Sequence, residues 1–444
     1  MTRLDPMAGI PRSVFEERRS AVFRALGSGV MVLPAAPVLH RSRDTEVPYR
    51  PDSELFWLTG ATEPGTVAVL VGGGEPRFLL FVQDHDPEAE LWSGPRLGPD
   101  ECAERFGAAE TYVRAELGFR LPGLLRGADR IHARLGVHGE LDRIVVAALA
   151  DARARGPRKG TGPRAVVDPG EILDDLRLVK EPWELQRLRA AAALSVDGHR
   201  AAAAVVGAGV GEWEVQAAAE AAFRRGGGSG PGFGTIVGSG PNACTLHYVD
   251  NGRVIGEGEL VLVDAGAELG LYQGDITRVY PASGAFTGSQ RAVVEVVDAA
   301  RAAALAAVVP GRTVAQVHEA AVRTLVDGLT ALGALAGPVE DLVAQEAHKR
   351  FFPHHTSHWL GIDVHDPGDY ARGGASRILE PGMVLTVEPG LYFPVGEEGA
   401  AAAYAGIGVR LEDDVLVTPD GHENLTGALP TRPEEMEALV RGMG

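Results

Sequence analysis

The sequence predicts an α+β protein in two domains, and three observations carry that prediction. Its 444 residues exceed what a single hydrophobic core usually serves. Residues 1–174 contain short apolar runs separated by turn residues, which is typical of a smaller α/β domain. From Glu181 onward, helical patterns alternate with strands in hairpin order, which favours helices on one face of a largely antiparallel sheet. We therefore expect one domain at residues 1–174 and the other at 175–444.

The N-terminal domain carries clear helix and strand signals. Apolar residues from Val14 to Leu26 recur at helical spacing and predict a surface helix. A second helix is predicted at Leu141–Arg155, and the basic, glycine- and proline-rich segment Arg155–Pro163 predicts a linker or exposed loop. Strands are predicted at Val30–Leu33, Thr66–Val71 and Arg77–Val82.

The C-terminal domain begins with a helix signature, because Glu181-Pro182 precedes the alanine-rich run Leu185–Val206. Further helices are predicted at Gly211–Arg225, Ser289–Val309 and Val314–Gly333. Strands are predicted at Leu260–Ala265, Gly274–Pro281, Met383–Glu388 and Gly408–Val417.

Composition excludes several classes of protein. With 45% hydrophobic and 23% charged residues, the chain is neither disordered nor fibrous. The formal net charge of −18 argues against binding to nucleic acid or to an anionic membrane surface. The longest apolar runs, such as Ala201–Val206, are far shorter than the ~20 residues of a membrane span. Cys102 and Cys244 form no metal-binding pair, which fits the reducing cytoplasm.

Four acidic residues end apolar strands in the C-terminal domain. Burying a carboxylate is costly unless a cation meets it. Each aspartate alone could simply cap a turn, and salt bridges are the ordinary explanation for such a set, but the strands offer only one obvious basic partner, Arg410. Strand alternation places Arg410 and Glu412 on the same face of their strand. The four acids are Asp264, Asp275, Glu388 and Glu412.

A histidine-rich segment completes this set. Phe351–Asp366 holds four of the chain's 13 histidines beside aromatic residues. Four carboxylates balance two divalent cations, and oxygen-rich ligation with one imidazole suits Mn²⁺, Co²⁺ or Zn²⁺. Two such ions sharing a water generate a nucleophile and polarise a carbonyl, so the residues predict metal-assisted hydrolysis.

These segments resemble the dinuclear metallopeptidase family with the pita-bread catalytic fold, which includes methionine aminopeptidase, prolidase and Xaa-Pro aminopeptidase (aminopeptidase P). The N-terminal domain argues against methionine aminopeptidases, which generally lack one. Four motifs are similar to the aminopeptidase P branch: Pro48–Gly60, Leu91–Gly98, Asn242–Tyr248 and Ser357–Asp366. The resemblance implies a C-terminal pita-bread catalytic domain and an N-terminal α/β domain that serves substrate access and oligomerisation.

The resemblance also implies a ligand set and a reaction. The metal ligands would be Asp264, Asp275, His358, Glu388 and Glu412, with Asp275 and Glu412 bridging two ions. The ions would be manganese first, with cobalt or zinc as alternatives. A metal-bridging hydroxide would cleave peptides that have proline in second position, releasing their first residue.

Other residues receive roles by the same resemblance. Glu388 would relay a proton to the leaving proline nitrogen, His365 would donate to the oxyanion and His247 would orient the substrate. His354, Tyr392 and Arg410 would wall the proline pocket. Trp92 would reach a neighbouring subunit's site in a homo-oligomer, a dimer or tetramer. Each of the last three also has an ordinary interpretation: Arg410 neutralises nearby acids, Tyr392 belongs to the core and Trp92 to the surface.

Three alternative functions stay open at this point. A prolidase would hydrolyse only Xaa-Pro dipeptides, and a non-catalytic peptide-binding module or a metal-free hydrolase of the creatinase type would keep the fold without needing all five ligands. The sequence departs from the family at His355, where a glycine is common, and at Pro394–Ala405, which is predicted to be a variable loop.

Overall fold

The structure is a computed structural model that describes residues 6–159 and 162–442. It divides into two compact units, Pro6–Leu176 and a C-terminal unit that begins at Arg177. The boundary expected from the sequence, after residue 174, lies two residues earlier in the chain (176 − 174 = 2).

The N-terminal unit is built on a mixed six-stranded sheet in the order β6-β5-β4-β1-β7-β8. The strands of this unit are β1 Val30–Pro34, β2 His40–Ser42, β3 Thr45–Glu46, β4 Val67–Val71, β5 Arg77–Val82, β6 Glu110–Val113, β7 Ile131–His132 and β8 Val166–Val167. Strands β2 and β3 form a separate short hairpin. The helices of the unit are α1 Arg12–Leu26, α2 Ser53–Thr59, α3 Pro87–Ser93, α4 Pro99–Phe106, α5 Leu117–Leu125, α6 Gly139–Lys159 and α7 Gly170–Leu178, which ends beyond the boundary.

The central strands of this sheet are apolar runs because helices cover them. Val30 and Val32 of β1 pack with Phe81 of β5 and with Leu117 and Leu121 of α5 in one buried cluster. The three strands predicted here are confirmed, as is the helix near the N-terminus. The linker predicted at Arg155–Pro163 is wrong in its first half, since α6 continues to Lys159.

Helix α6 continues into the first half of the predicted linker, with support from an ion pair to the preceding turn. Arg155 pairs with Asp151 at 2.8 Å, one turn earlier, and such pairs stabilise a helix locally. Residues 160 and 161 of the predicted linker lie outside the described residues.

The C-terminal unit contains several small antiparallel sheets with helices packed against them. Its helices are α8 Pro182–Ala203, α9 Glu212–Arg225, α10 Gly288–Ala307, α11 Val314–Ala331, α12 Val339–Ala344 and α13 Pro433–Val440. Its strands are β9 Gly230–Pro231, β10 Ile236–Ser239, β11 Leu260–Asp264, β12 Ala267–Leu269, β13 Tyr272–Gln273, β14 Thr277–Pro281, β15 Ala371–Arg372, β16 Ala375–Ser376, β17 Val384–Val387, β18 Gly390–Phe393, β19 Ile407–Arg410, β20 Asp413–Thr418 and β21 Gly421–Asn424.

Most predicted elements of this unit are confirmed, but the single strand predicted at Gly408–Val417 is wrong. The chain forms two strands there, because β19 pairs with β18 while β20 pairs with β17. Leu411 and Glu412 lie at the break between the two strands. The change of partner explains the break, and it leaves Glu412 outside both ladders.

Helices α10 and α11 cover the sheets that carry the acidic residues. Val293 and Val297 of α10 and Leu325 of α11 share one buried cluster with Leu262 of β11 and Val409 of β19. Burial of this many aliphatic side chains supplies the main stabilisation of the unit. Among the described residues, no helix combines the length and apolarity needed to cross a membrane.

Candidate active site

A β-hairpin brings the two predicted aspartate ligands together. Strands β11 and β14 pair antiparallel with Asp264 opposite Thr277, and Asp275 lies just before β14. The segment between them folds tightly, since a Cβ on Gly266 would come within 1.6 Å of the Gly274 carbonyl oxygen. Only glycine fits such a close approach of two backbones. Both carboxylates therefore enter the same cavity, as the hairpin pattern predicts.

The break between β19 and β20 places Glu412 beside this hairpin. The Glu412 amide donates to the Thr277 carbonyl oxygen at 3.1 Å. The Thr277 hydroxyl donates to Glu412 Oε2 at 2.6 Å and accepts from Arg410 Nε at 2.9 Å. Thr277 thus fixes the positions of Arg410, at the end of β19, and of Glu412, in the break that follows it.

The remaining acid and the predicted imidazole ligand are aligned by backbone pairing. The Glu388 amide donates to Thr356 O at 2.8 Å, and the Thr386 amide donates to His358 O at 2.9 Å. His358 Nδ1 lies 3.1 Å from the Trp359 carbonyl oxygen, so Nδ1–H is the donor. Its Nε2 is left facing carboxylate oxygens, the nearest of them Asp275 Oδ2 at 3.4 Å.

These residues line one cavity of about 620 Å³ in the C-terminal unit. The structure brings together nearly all of the predicted site residues on its wall: Asp264, Asp275, His358, Glu388, Glu412, His247, His354, His365 and Arg410. Tyr392 is buried directly behind that wall and contacts His354 and Arg410. Trp92 belongs to α3 of the N-terminal unit, where it is 86% exposed.

A polar chain runs behind one side of the cavity. Arg410 Nη1 donates to the Tyr392 hydroxyl at 3.0 Å, and that hydroxyl lies 2.9 Å from His354 Nε2. His354 Nδ1 lies 2.8 Å from the His355 carbonyl oxygen and so carries the proton, which makes Nε2 the acceptor from Tyr392. Burial and the nearby Arg410 lower the pKa of His354 to about 3, so its ring is neutral at physiological pH.

The cavity holds more negative charge than its protein cations balance. Four carboxylates face it, while Arg410 pairs with Asp264 Oδ2 at 2.6 Å. Burial and neighbouring carboxylates raise the pKa of Asp275 and of Glu412 well above the usual range. Burial and Glu412 raise the pKa of Glu388 to about 8. Without a bound cation, burial and mutual repulsion therefore favour the protonated forms of Asp275, Glu388 and Glu412.

The residues present fit a divalent cation. One oxygen each of Asp275 and Glu412 and a nitrogen of His358 lie within 4.8 Å of one another. The buried Oδ1 of Asp264 has no hydrogen-bond partner among the described residues, and an unpaired buried carboxylate oxygen is costly. Oxygen donors with one imidazole suit first-row divalent metals.

The raised pKa of Glu388 predicts a pH-dependent stability of the metal-free protein. Between its ordinary value of 4.5 and about 8, folded Glu388 holds a proton that the unfolded chain has released. The contribution of Glu388 to the free energy of unfolding is therefore greatest below this window and falls as the pH rises through it. Denaturant unfolding of chelator-treated protein across the window measures the slope.

The Glu388→Gln variant is the matched control for that slope, because its side chain stays neutral at every pH. We expect the variant to lack the fall in stability that Glu388 causes, while the other shifted groups, among them Asp275, Glu412 and the buried His199 and His354, contribute equally in both proteins. Equal slopes in the two proteins would contradict the assignment of a protonated Glu388.

Three further polar residues belong to the site that the sequence analysis did not identify. Thr277 and Asp414 lie two residues beyond Asp275 and Glu412, and strand alternation could have found both. The Asp414 carboxylate accepts the Asp275 amide at 3.1 Å. Ser357 lines the cavity with a buried hydroxyl that has no hydrogen-bond partner among the described residues.

The structure also shows the positions of the two segments that depart from the family pattern. His355 is exposed on the cavity wall, and its ring centroid lies 5.4 Å from that of His318. The segment Pro394–Ala405, predicted to be a loop, contains a short 3₁₀ helix at Gly399–Tyr404.

Comparison with known proteins identifies the family. The model of metallopeptidase family M24 matches residues 186–419, and the model of the aminopeptidase P N-terminal domain matches residues 15–132. The chain belongs to metallopeptidase family M24. The predicted pita-bread catalytic domain, preceded by an α/β domain, is therefore confirmed, and the family is one of metal-dependent hydrolases.

Individual relatives identify the branch. The chain is 40% identical to the Xaa-Pro aminopeptidase of Escherichia coli over 98% of its own length and 99% of that protein. It is 32% identical to human Xaa-Pro aminopeptidase 3, over 92% of this chain and 80% of the human protein. The predicted resemblance to the aminopeptidase P branch is confirmed.

Solved structures of related aminopeptidases are similar to this chain over nearly its whole length. The aminopeptidase PepP of Pseudomonas aeruginosa superposes with a TM-score of 0.93 at 41% identity, covering 98% of this chain and 99% of that one. The zinc-substituted aminopeptidase P of Escherichia coli in complex with product gives the same TM-score of 0.93 at 40% identity, again over 98% and 99% of the two chains.

Proposed function

We propose that this chain is a metal-dependent aminopeptidase that releases the first residue of peptides with proline in second position. The observation that carries the proposal is the gathering of four carboxylates and the His358 imidazole in a single cavity. The relatives named Xaa-Pro aminopeptidase, which match the chain over nearly its whole length, support the choice of substrate.

The proposed cofactor is a pair of divalent cations, manganese first and cobalt or zinc as alternatives. The residues that would hold them are Asp264, Asp275, His358, Glu388 and Glu412. When bound, two such ions would activate water as a nucleophile and polarise the scissile carbonyl. His358 is preorganised for this role, since its Nδ1–H is already used by the Trp359 carbonyl and Nε2 is free to ligate.

The other cavity residues would act on the peptide itself. His365, on the exposed rim, would donate a hydrogen bond to the oxyanion that develops at the scissile carbonyl, and His247 would orient the peptide around it. Glu388 would relay a proton to the proline nitrogen as it leaves. Because an acyl proline nitrogen carries no hydrogen, this protonation is essential for the departure of the amine.

The proline ring would lie against the polar chain of His354, Tyr392 and Arg410. These three side chains are fixed to one another by two hydrogen bonds, of 2.9 and 3.0 Å. A wall held in this way presents a constant shape, which is what discrimination of a ring from an open side chain requires. Arg410 also neutralises Asp264 and so serves both of the roles considered for it.

Comparing three peptides tests the proposed reaction. With manganese supplied, we expect rapid release of the first residue from an Xaa-Pro-Xaa tripeptide and little from the matched Xaa-Ala-Xaa tripeptide. An Xaa-Pro dipeptide should not be the preferred substrate. Cleavage confined to the dipeptide would indicate a prolidase instead, and binding without turnover would indicate a peptide-binding module.

We also propose that the chain forms a homo-oligomer in the cytoplasm. Trp92 and the adjacent Leu91 of α3 are 86% and 81% exposed, and an exposed apolar pair of this kind suits contact with a second copy. Both cysteines are free, which fits a reducing compartment. Light scattering on native protein and on Trp92→Ala tests the assembly, and a monomeric native protein would contradict it.

A further inference from the structure

Helix α8 presents two buried polar side chains to the hairpin that carries the aspartates. Ser195 and His199 are four residues apart, so they lie on one face of the helix a single turn from each other. Both are completely buried. Neither side chain reaches the cavity, and neither has a place in the chemistry described above.

The His199 ring joins the two strands of the hairpin. Its Nε2 lies 3.1 Å from Ala265 O and 3.0 Å from Ile276 O, so Nε2–H donates to both carbonyls. These carbonyls belong to the residues that directly follow Asp264 and Asp275 in the chain. One imidazole therefore holds the backbone on the C-terminal side of both aspartates.

The other ring nitrogen shows which form of His199 is present. Its Nδ1 lies 3.3 Å from the Tyr280 hydroxyl, which donates to it. Burial and the nearby Arg278 lower the pKa of His199 to about 3, so the ring is neutral at physiological pH. A neutral ring with the proton on Nε2 makes all of these hydrogen bonds at once.

Ser195 holds the same hairpin one turn away. Its hydroxyl accepts from the Ala267 amide at 2.9 Å and donates to Ala191 O at 2.8 Å. The opposite strand lies equally close, since a Cβ on Gly274 would come within 2.4 Å of Ser195 Oγ. The helix thus contacts the backbone of both strands in the segment between the two aspartates.

An apolar contact would not fix the hairpin in the same way. Hydrogen bonds specify position through distance and angle, whereas dispersion contacts between aliphatic side chains tolerate small sliding. Like-charged carboxylates in one cavity repel each other when no cation lies between them. A hairpin that must hold two of them at a fixed separation therefore needs support on its far side.

We propose that His199 and Ser195 are positioning residues, which hold the backbone of Asp264 and Asp275 at the separation that metal binding requires. The inference rests on the proposed metal centre and assigns its support to a helix that supplies none of the proposed ligands. Residues that orient ligands from behind typically change metal affinity by about 10- to 100-fold when they are removed.

The test compares two substitutions of His199, one that removes its hydrogen-bonding groups and one that keeps an amide in their place. His199→Met keeps a long side chain and removes the donor, whereas His199→Gln keeps an N–H at the position of Nε2. Titration of each metal-free protein with Mn²⁺ alone, followed by calorimetry, gives the dissociation constants. We expect binding about 10- to 100-fold weaker in H199M and close to the native value in H199Q.

A control separates positioning from general loss of stability. Leu329→Ala removes a fully buried side chain from α11, a helix without any proposed ligand, and should lower the unfolding temperature while leaving Mn²⁺ affinity unchanged. Ser195→Ala is the smaller second variant, for use if H199M does not fold, and should also weaken Mn²⁺ binding. Native affinity in S195A and in any folded H199M would overturn the inference. A native protein that binds no Mn²⁺ would instead refute the metal centre itself.

Discussion

Replacing Glu412 by alanine is expected to abolish peptide cleavage and metal binding together. Its carboxylate is one of three donor groups that lie within 4.8 Å of one another, and it faces His358 Nε2 at 3.9 Å. Removing a proposed metal ligand would eliminate several kcal/mol of transition-state stabilisation, so we expect kcat/KM to fall by about a thousandfold or more. Activity assays with manganese supplied and metal analysis of the purified variant measure both effects.

A matched glutamate provides the control for this variant. Glu423 lies on β21, where its partly exposed carboxylate pairs with Arg189 at 2.6 Å, and it does not line the cavity. Glu423→Ala should keep native activity and metal content, because an exposed ion pair contributes little. An E412A protein that binds two metals with native affinity would contradict the proposed ligand set.

The strands that carry the proposed ligands could be predicted from the sequence because they break an ordinary rule. Asp264 follows four aliphatic residues, and Glu388 ends a similar run, although buried strands normally exclude acids. Such a buried carboxylate has to be neutralised, either by a nearby cation or by protonation. The hairpin between Asp264 and Asp275 was likewise predictable, since turn residues join two apolar runs.

The local shape around Glu412 could not be predicted in this way. Alternation correctly turns Arg410 and Glu412 towards one cavity, but periodicity within a segment does not reveal a change of pairing partner. Within the break, the Glu412 amide donates to the carbonyl of Thr277, which is 135 residues away in sequence (412 − 277 = 135). Contacts over such a separation are set by the tertiary fold.

Buried charge behind the site also escaped the sequence analysis. Arg278 is fully buried and pairs with Asp413 at 2.6 Å, and it donates to the Glu412 carbonyl at the same distance. Arg301 pairs with the second oxygen of Asp413, again at 2.6 Å. The two guanidinium groups lower the pKa of Asp413 to about 2. Arg410 is therefore one of several buried arginines in this region, although the sequence indicated only that one.

Replacing His365 by alanine is expected to separate catalysis from metal binding. The ring of His365 lies on the cavity wall with its centroid 4.5 Å from that of His358, at an interplanar angle of 82°. Partial burial and His358 lower the pKa of His365, so the neutral ring offers one N–H donor at assay pH. Loss of one oxyanion donor typically lowers kcat by about 10²- to 10³-fold.

The His365→Ala variant should retain its metal, because His365 is not a proposed ligand, and its KM should change far less than its kcat. That pattern marks an interaction made mainly in the transition state. His422→Ala is the matched control, since the exposed His422 ring lies 3.2 Å from the Val308 carbonyl oxygen and does not line the cavity. A metal-loaded H365A enzyme with native kcat would remove His365 from the reaction and leave His247, on the same wall, as the candidate donor.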